Sequence, residues 1–237
     1  MTRKENRMRY QAAIFDMDGT ILNTVEDLTS SLNYALRATG HRCDFTPHEV
    51  RRFFGSGALV ASRRALWCEK TGEVRLDIPE DAAISKEADR IQEVFRGYYV
   101  DHCAEKTGPY PGIPELLQAL QKAGIPAAVV SNKPDDAVRK LSADYFSGLF
   151  AVSVGEMAGV RKKPAPDTVW KVCRLLGTDP ASSVYIGDSE VDIETAKNAG
   201  THMISVDWGF RTRGFLEALH PEHLVSDASA LSSMLLG

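Results

Sequence analysis

Short apolar runs that end in a polar residue recur along the chain. Gln11-Ala12-Ala13-Ile14-Phe15 runs into Asp16, and Ala127-Ala128-Val129-Val130 runs into Ser131-Asn132. Ser183-Val184-Tyr185-Ile186-Gly187 runs into Asp188, and Thr201 to Val206 runs into Asp207. Each run is too short for a buried helix and reads as a buried strand. Helical patterns lie between them. Pro114 to Ala123 carries Leu116, Leu117 and Leu120, with Gly124 as a stop. Pro166 to Leu176 stops at Gly177, and Val191 to Ala199 stops at Gly200. Strands alternating with helices predict an α/β fold: a mostly parallel sheet covered on both faces. Ligands of such sheets bind beyond the carboxyl ends of the strands. Asp16, Ser131 and Asp188 all fall there.

The stretch from Thr24 to Glu105 breaks the alternation. It carries helical patterns and no clear strand. Thr46-Pro47-His48-Glu49 is a capping box with proline at the first helical position, so a helix starts there. Glu80 to Tyr99 predicts another long helix. The turn-rich Pro109-Tyr110-Pro111-Gly112 marks the return to the sheet. The expected division is therefore a catalytic core of residues 1–23 and 106–237, with a helical insert of residues 24–105.

Composition narrows the class without naming the chemistry. The 237 residues are 43% hydrophobic and 25% charged, as in a soluble globular protein with a self-sufficient core. The formal net charge of -4 offers no basic excess for nucleic acid. No apolar run approaches membrane-spanning length. Thr2-Arg3-Lys4-Glu5-Asn6-Arg7 has no apolar stretch behind it and reads as a solvated lead-in, not a secretory signal, so a cytoplasmic protein is expected. Cys43, Cys68, Cys103 and Cys173 are scattered and form no CxxC pair, which predicts idle reduced thiols.

The chemistry-bearing residues cluster at the predicted strand ends. In Asp16-Met17-Asp18-Gly19-Thr20, two carboxylates flank one residue at a sharp turn. One carboxylate of such a pair is suited to attack phosphorus, and the other to move a proton. The same residues also suit an Asx-capped turn. Gly187-Asp188-Ser189-Glu190-Val191-Asp192 places three acids within five positions. Carboxylate clusters of this kind suit magnesium, and they equally suit a helix N-terminus. Lys163, before Pro164, supplies a cation for phosphate. Ser131 and Asn132 supply a hydroxyl and an amide.

Taken in order, these residues resemble the haloacid dehalogenase superfamily. The matching motifs are Asp16-Met17-Asp18-Gly19-Thr20, Ser131, Lys163-Pro164, and Gly187-Asp188-Ser189 with Asp192. The resemblance implies a Rossmann-like core with a helical cap inserted after the first strand. It implies Asp16 as nucleophile and Asp18 as acid–base, with Ser131 and Lys163 gripping the phosphoryl group. Mg2+ would be held by Asp16, Asp188 and the backbone carbonyl of Asp18, with Asp192 behind them. Thr20 and Asn132 are further candidates for the substrate.

Within the superfamily the chain looks most like phosphoglycolate phosphatases. Phe54-Gly55-Ser56-Gly57 with Arg64-Ala65-Leu66, Pro109 to Gly112, and Val206 to Arg211 carry that likeness. Gly55 and Gly57 permit close backbone approach, so their amides are candidates for contact with a substrate carboxylate, or they simply link helices; Arg64 reads as a substrate-facing cation or, in preference, as a surface helix charge. Asn23-Thr24 departs from the acidic residue and serine of many relatives. The expected activity is hydrolysis of a small phosphorylated metabolite, foremost 2-phosphoglycolate, through an aspartyl-phosphate, by a monomer or homodimer. The competing readings are a sugar-phosphate mutase, a phosphatase for pyrophosphate, nucleotides or another small ester, and a non-catalytic binding module that keeps the fold.

Overall fold

The computed structural model describes residues 10–237. The predicted lead-in before Tyr10 lies outside the described residues. Six parallel strands form the main sheet: β1 (Ala12–Phe15), β4 (Ala127–Pro134), β5 (Val152–Glu156), β6 (Ser183–Gly187), β7 (His202–Val206) and β8 (His223–Val225). Their spatial order is β5-β4-β1-β6-β7-β8. The chain thus starts in the middle of the sheet, builds outward on one side, then returns to build the other. The ends of β4, β1 and β6 lie side by side, beside the β1–β6 border where the strand order reverses. Crevices form at such a reversal.

Side-chain alternation explains why helices cover both faces. Ala13 and Phe15 of β1 point into one hydrophobic layer, together with Val129, Ile186 and Ile204. That layer is closed by α5 (Ile113–Lys122), α6 (Asp135–Phe146) and α10 (Ala228–Leu236). Ile14, Ala128, Val130 and Tyr185 point the opposite way. They pack against α7 (Asp167–Leu176) and α8 (Glu190–Ala199). This is the period of two expected of strands buried on both sides. The glycine stops are met: Gly177 and Gly200 cap α7 and α8 in the left-handed region, at φ 67° and 76°.

Between β1 and β4 the chain forms a two-stranded antiparallel ribbon, β2 (Leu22–Asn23) with β3 (Gly108–Pro109). The helices α1 (Val25–Thr39), α2 (Pro47–Phe53), α3 (Ala58–Thr71) and α4 (Ala82–His102) lie between the two ribbon strands. Both connections to the helical insert therefore run through one narrow ribbon. The Thr46 capping box is present as predicted, with the Glu49 carboxylate accepting from the Thr46 N–H at 2.8 Å. The long helix starts two residues later than predicted and runs three further, to His102. No helix among the described residues is long and apolar enough to cross a membrane. All four cysteines are free, and three of them are buried.

Candidate active site

Asp16 follows β1 directly, and its N–H still donates to the Ile186 carbonyl of β6. The chain then curls around one acceptor, because the Ile21 and Leu22 N–H groups both donate to the Met17 carbonyl. Gly19 takes φ 84° in this curl. A Cβ there would fall 2.4 Å from Asp188 Oδ2, so only glycine lets the two loops meet.

The Asp16 carboxylate is buried and fixed at one oxygen. Oδ1 accepts from the Met17 N–H at 2.7 Å and lies 2.9 Å from Lys163 Nζ. No described residue donates a hydrogen bond to Oδ2, which leaves that oxygen free to react. Lys163 lies between two acids, with Asp192 Oδ1 at 2.8 Å. Burial opposes its ammonium, but Asp16 and Asp192 outweigh this and raise its pKa. Burial pushes the Asp16 carboxyl up to about 7, against the pull of Lys163. Burial likewise pushes the Asp188 carboxyl far above the carboxylate range, helped by Asp192 and Asp16.

Carboxylate oxygens of Asp16, Asp188 and Asp192 lie within 4.8 Å of one another. Asp188 is held by the Thr20 hydroxyl at 3.1 Å and the Phe210 N–H at 2.6 Å. Asp192 is already engaged on both oxygens. Oδ1 accepts from Lys163, and Oδ2 accepts from the Ser189 hydroxyl at 2.6 Å and the Ser189 and Asp188 N–H groups. Asp192 therefore positions Lys163 and the Asp188 loop, while Asp16 and Asp188 keep lone pairs for a cation. Among the described residues, the buried ammonium groups of Lys163 and Lys133 are the ones paired with Asp16, Asp18 and Asp192, and Asp188 has no ammonium partner. A divalent cation on hard oxygen donors fits this imbalance.

Asp16, Asp18, Ser131, Asn132, Lys163, Gly55 and Gly57 all line one cavity of about 30 Å³. Leu28, Phe54, Ala58, Phe95 and Tyr99 of the helical insert wall it on the other side, so sheet and insert enclose it together. That volume holds only about two waters, at ~10–15 Å³ for each. Gly57 is where the two halves meet closely, since a Cβ there would lie 3.3 Å from the Asn132 carbonyl.

Three expected substrate contacts are engaged by other groups of the protein. Thr20 spends its hydroxyl on Asp188 and does not line the cavity. Arg64 is not a free cation: its guanidinium donates to the Phe53 carbonyl at 2.7 Å and the Leu76 carbonyl at 3.0 Å. Those carbonyls hold it inside the insert. Asn132 does line the cavity, but its side-chain amide is committed to the Lys163 backbone. It donates to the carbonyl at 3.1 Å and accepts from the N–H at 2.9 Å.

The haloacid dehalogenase-like hydrolase family model matches residues 13–206. The chain belongs to the haloacid dehalogenase-like hydrolases. A phosphoglycolate phosphatase of Mesorhizobium japonicum is 32% identical, over 92% of each chain. An N-acetylmuramic acid 6-phosphate phosphatase of Pseudomonas aeruginosa is 34% identical, over 91% of this chain and 86% of its own. Among solved structures, a Lactobacillus delbrueckii subsp. bulgaricus protein provisionally called a phosphoglycolate phosphatase superimposes with TM-score 0.92 at 46% identity. The match covers 97% of this chain and all of that one. These likenesses meet the expectation of a phosphoric monoester hydrolase.

This haloacid dehalogenase-like hydrolase also places polar groups at the site that the motifs do not include. Lys133 Nζ lies 2.9 Å from Asp18 Oδ1 and donates to the Tyr99 hydroxyl of α4. Its signal in the sequence is a lysine two positions after Ser131, at the end of the same strand. Arg211 makes two bonds to Glu190, at 2.6 and 2.8 Å, and donates to the Arg51 and Phe54 carbonyls of the insert.

A metal-linked stability change follows from the raised acids. A carboxyl raised to about 7 from an ordinary 3.8 holds its proton longer in the folded state. The stabilisation is complete below the unfolded value and is lost as pH rises through about 7. Cation and proton compete for the same oxygens. In chelator, Tm is expected to fall between about pH 6 and about pH 8, and magnesium should raise Tm more at the higher pH. Equal magnesium increments at both pH values would contradict this.

Proposed function

We propose that the chain is a Mg2+-dependent phosphatase of 2-phosphoglycolate that works through an aspartyl-phosphate on Asp16. The observation that carries this reading is the free Oδ2 of Asp16, beside buried Lys163 and inside a cavity closed by the helical insert. Asp16 and Asp188 would hold the ion through carboxylates, and Asp18 through its backbone carbonyl. When bound, magnesium supplies charge that offsets the repulsion between phosphate and carboxylate.

The protein's own groups do the rest. Lys163 and Ser131 grip the phosphoryl oxygens, and Asp16 attacks phosphorus in line, expelling the ester oxygen. Asp18 gives that oxygen a proton. It then takes one from the water that attacks the phosphorus of the aspartyl-phosphate, releasing inorganic phosphate and the Asp16 carboxylate. Asp18 Oδ1 is held at the cavity by the Lys133 ammonium at 2.9 Å. Residues 24–105 act as the cap over residues 1–23 and 106–237, and its closure excludes bulk water.

The phosphoglycolate phosphatases among the relatives support this substrate, and the N-acetylmuramic acid 6-phosphate phosphatase makes a sugar phosphate the competitor to test. The test is a panel assay of 2-phosphoglycolate, a sugar 6-phosphate, pyrophosphate and a nucleoside monophosphate, each with magnesium and with excess chelator. The expected result is preferred release of inorganic phosphate from 2-phosphoglycolate, abolished by chelator. A flat profile or a sugar-phosphate preference would reject the substrate, and full activity in chelator would reject the metal.

A further inference from the structure

The cavity lining holds a second lysine to which the phosphoryl chemistry above assigns no role. Of the polar lining, Asp16, Asp18, Ser131 and Lys163 belong to the phosphoryl end, and the Asn132 amide is committed to Lys163. The side-chain polar groups left over are the Lys133 ammonium and the Tyr99 hydroxyl. Apolar side chains of Leu28, Phe54, Ala58, Phe95 and Phe210 make up most of the remaining wall. A lysine only 5% exposed, opening into an apolar cavity, is costly to keep unless an anion compensates it.

Lys133 is paired within the protein by Asp18 and Tyr99. Its hydrogen bond goes to the Tyr99 hydroxyl. Asp18 Oδ1 forms an ion pair with it at 2.9 Å. An ammonium has three protons, so donors remain for a further acceptor. Placement fixes where that acceptor would sit. Ser131 and Lys133 are two residues apart on β4, and the Lys133 N–H donates to the Ser131 hydroxyl at 3.3 Å. One strand end therefore supplies both a phosphoryl contact and a buried cation to the cavity lining. Tyr99 adds a hydroxyl from the insert, so this cation is complete only when the insert is closed over the sheet.

We propose that Lys133, assisted by the Tyr99 hydroxyl, is the specificity-determining group that binds the carboxylate of the substrate's leaving group. This rests on the 2-phosphoglycolate reading and adds to it how a carboxylate is distinguished from a neutral end of the same length. Recognition then needs no arginine from the cap, in keeping with the internal bonds of Arg64.

The experiment compares kcat/KM for 2-phosphoglycolate and for ethyl phosphate, which lacks the carboxylate, in wild type, Lys133→Met and Tyr99→Phe. Loss of Lys133 also disturbs Asp18, so both substrates should slow in Lys133→Met. The ratio between them is the readout, because a purely positioning role would leave it unchanged. It is expected to fall by at least about 30-fold in Lys133→Met, as for loss of a buried charge partner. In Tyr99→Phe it should fall by about three- to tenfold, as for one hydrogen bond. Tyr99→Phe keeps the ring and carries the test if Lys133→Met does not fold. An unchanged ratio in the folded variants, with wild type still preferring 2-phosphoglycolate, would overturn the role of Lys133 alone. No such preference in wild type would overturn the substrate reading as well.

Discussion

Replacing Asp16 by asparagine is expected to lower kcat by at least ~10⁴-fold while the fold survives. The amide keeps the shape and still accepts from the Met17 N–H at Oδ1. It cannot attack phosphorus. It also removes one of four carboxylates facing two ammonium groups, in a place where burial already favours the uncharged form. Thermal stability should therefore be unchanged or raised. A melting curve and a phosphate-release assay on the same preparation check both halves. Undiminished turnover would remove Asp16 from the nucleophile role.

Lys163→Met should behave oppositely on the second axis, losing both activity and stability. Lys163 Nζ is the charge partner of Asp16 and Asp192 at 2.9 and 2.8 Å, and it donates to the Tyr185 hydroxyl at 3.0 Å. Removing one partner of a buried charge network costs about 3–5 kcal/mol. The acids left behind can relieve part of that cost by taking up protons, so the loss should grow with pH. Turnover should fall by about 10²–10³-fold, as for loss of a fixed group that stabilises transition-state charge. Urea denaturation at two pH values measures the first effect, and steady-state kinetics the second. A variant that is inactive yet as stable as wild type would mean that the ion pairs contribute nothing to folding.

The contrast between these variants shows which parts of the molecule the sequence made legible. The central strands were readable because each is a short apolar run ended by a polar residue. β1 and β6 are buried along their whole length. β5 and β8 escaped because an edge position leaves them partly exposed, which dilutes the apolar signal. The helix stops at Gly177 and Gly200 were readable because a left-handed cap favours glycine.

Residue type alone was less informative about partners. Thr20 looked like a phosphate ligand, but its hydroxyl belongs to Asp188, 168 residues away. Arg64 reads in sequence as a surface helix charge or a substrate cation, yet it is buried and two main-chain carbonyls of its own helical layer engage it. Asp192 was ambiguous between ligand and support until its donors were visible. Lys133 gave a weak signal because its meaning depends on Tyr99, 34 residues earlier in a different layer. In each case the missing information was a tertiary contact, which spacing along the chain does not carry.

The central claim is that Asp16 carries the phosphoryl group between the two half-reactions. The most direct measurement uses Asp18→Asn with p-nitrophenyl phosphate and magnesium. That ester's leaving group needs little help from an acid, while hydrolysis of the intermediate still needs the base that the variant lacks. The account predicts a burst of one nitrophenolate per enzyme and a chain heavier by one phosphoryl group, located on the peptide containing Asp16. A wild-type enzyme that turns over, paired with a variant that never acquires that mass or acquires it on another residue, would contradict it.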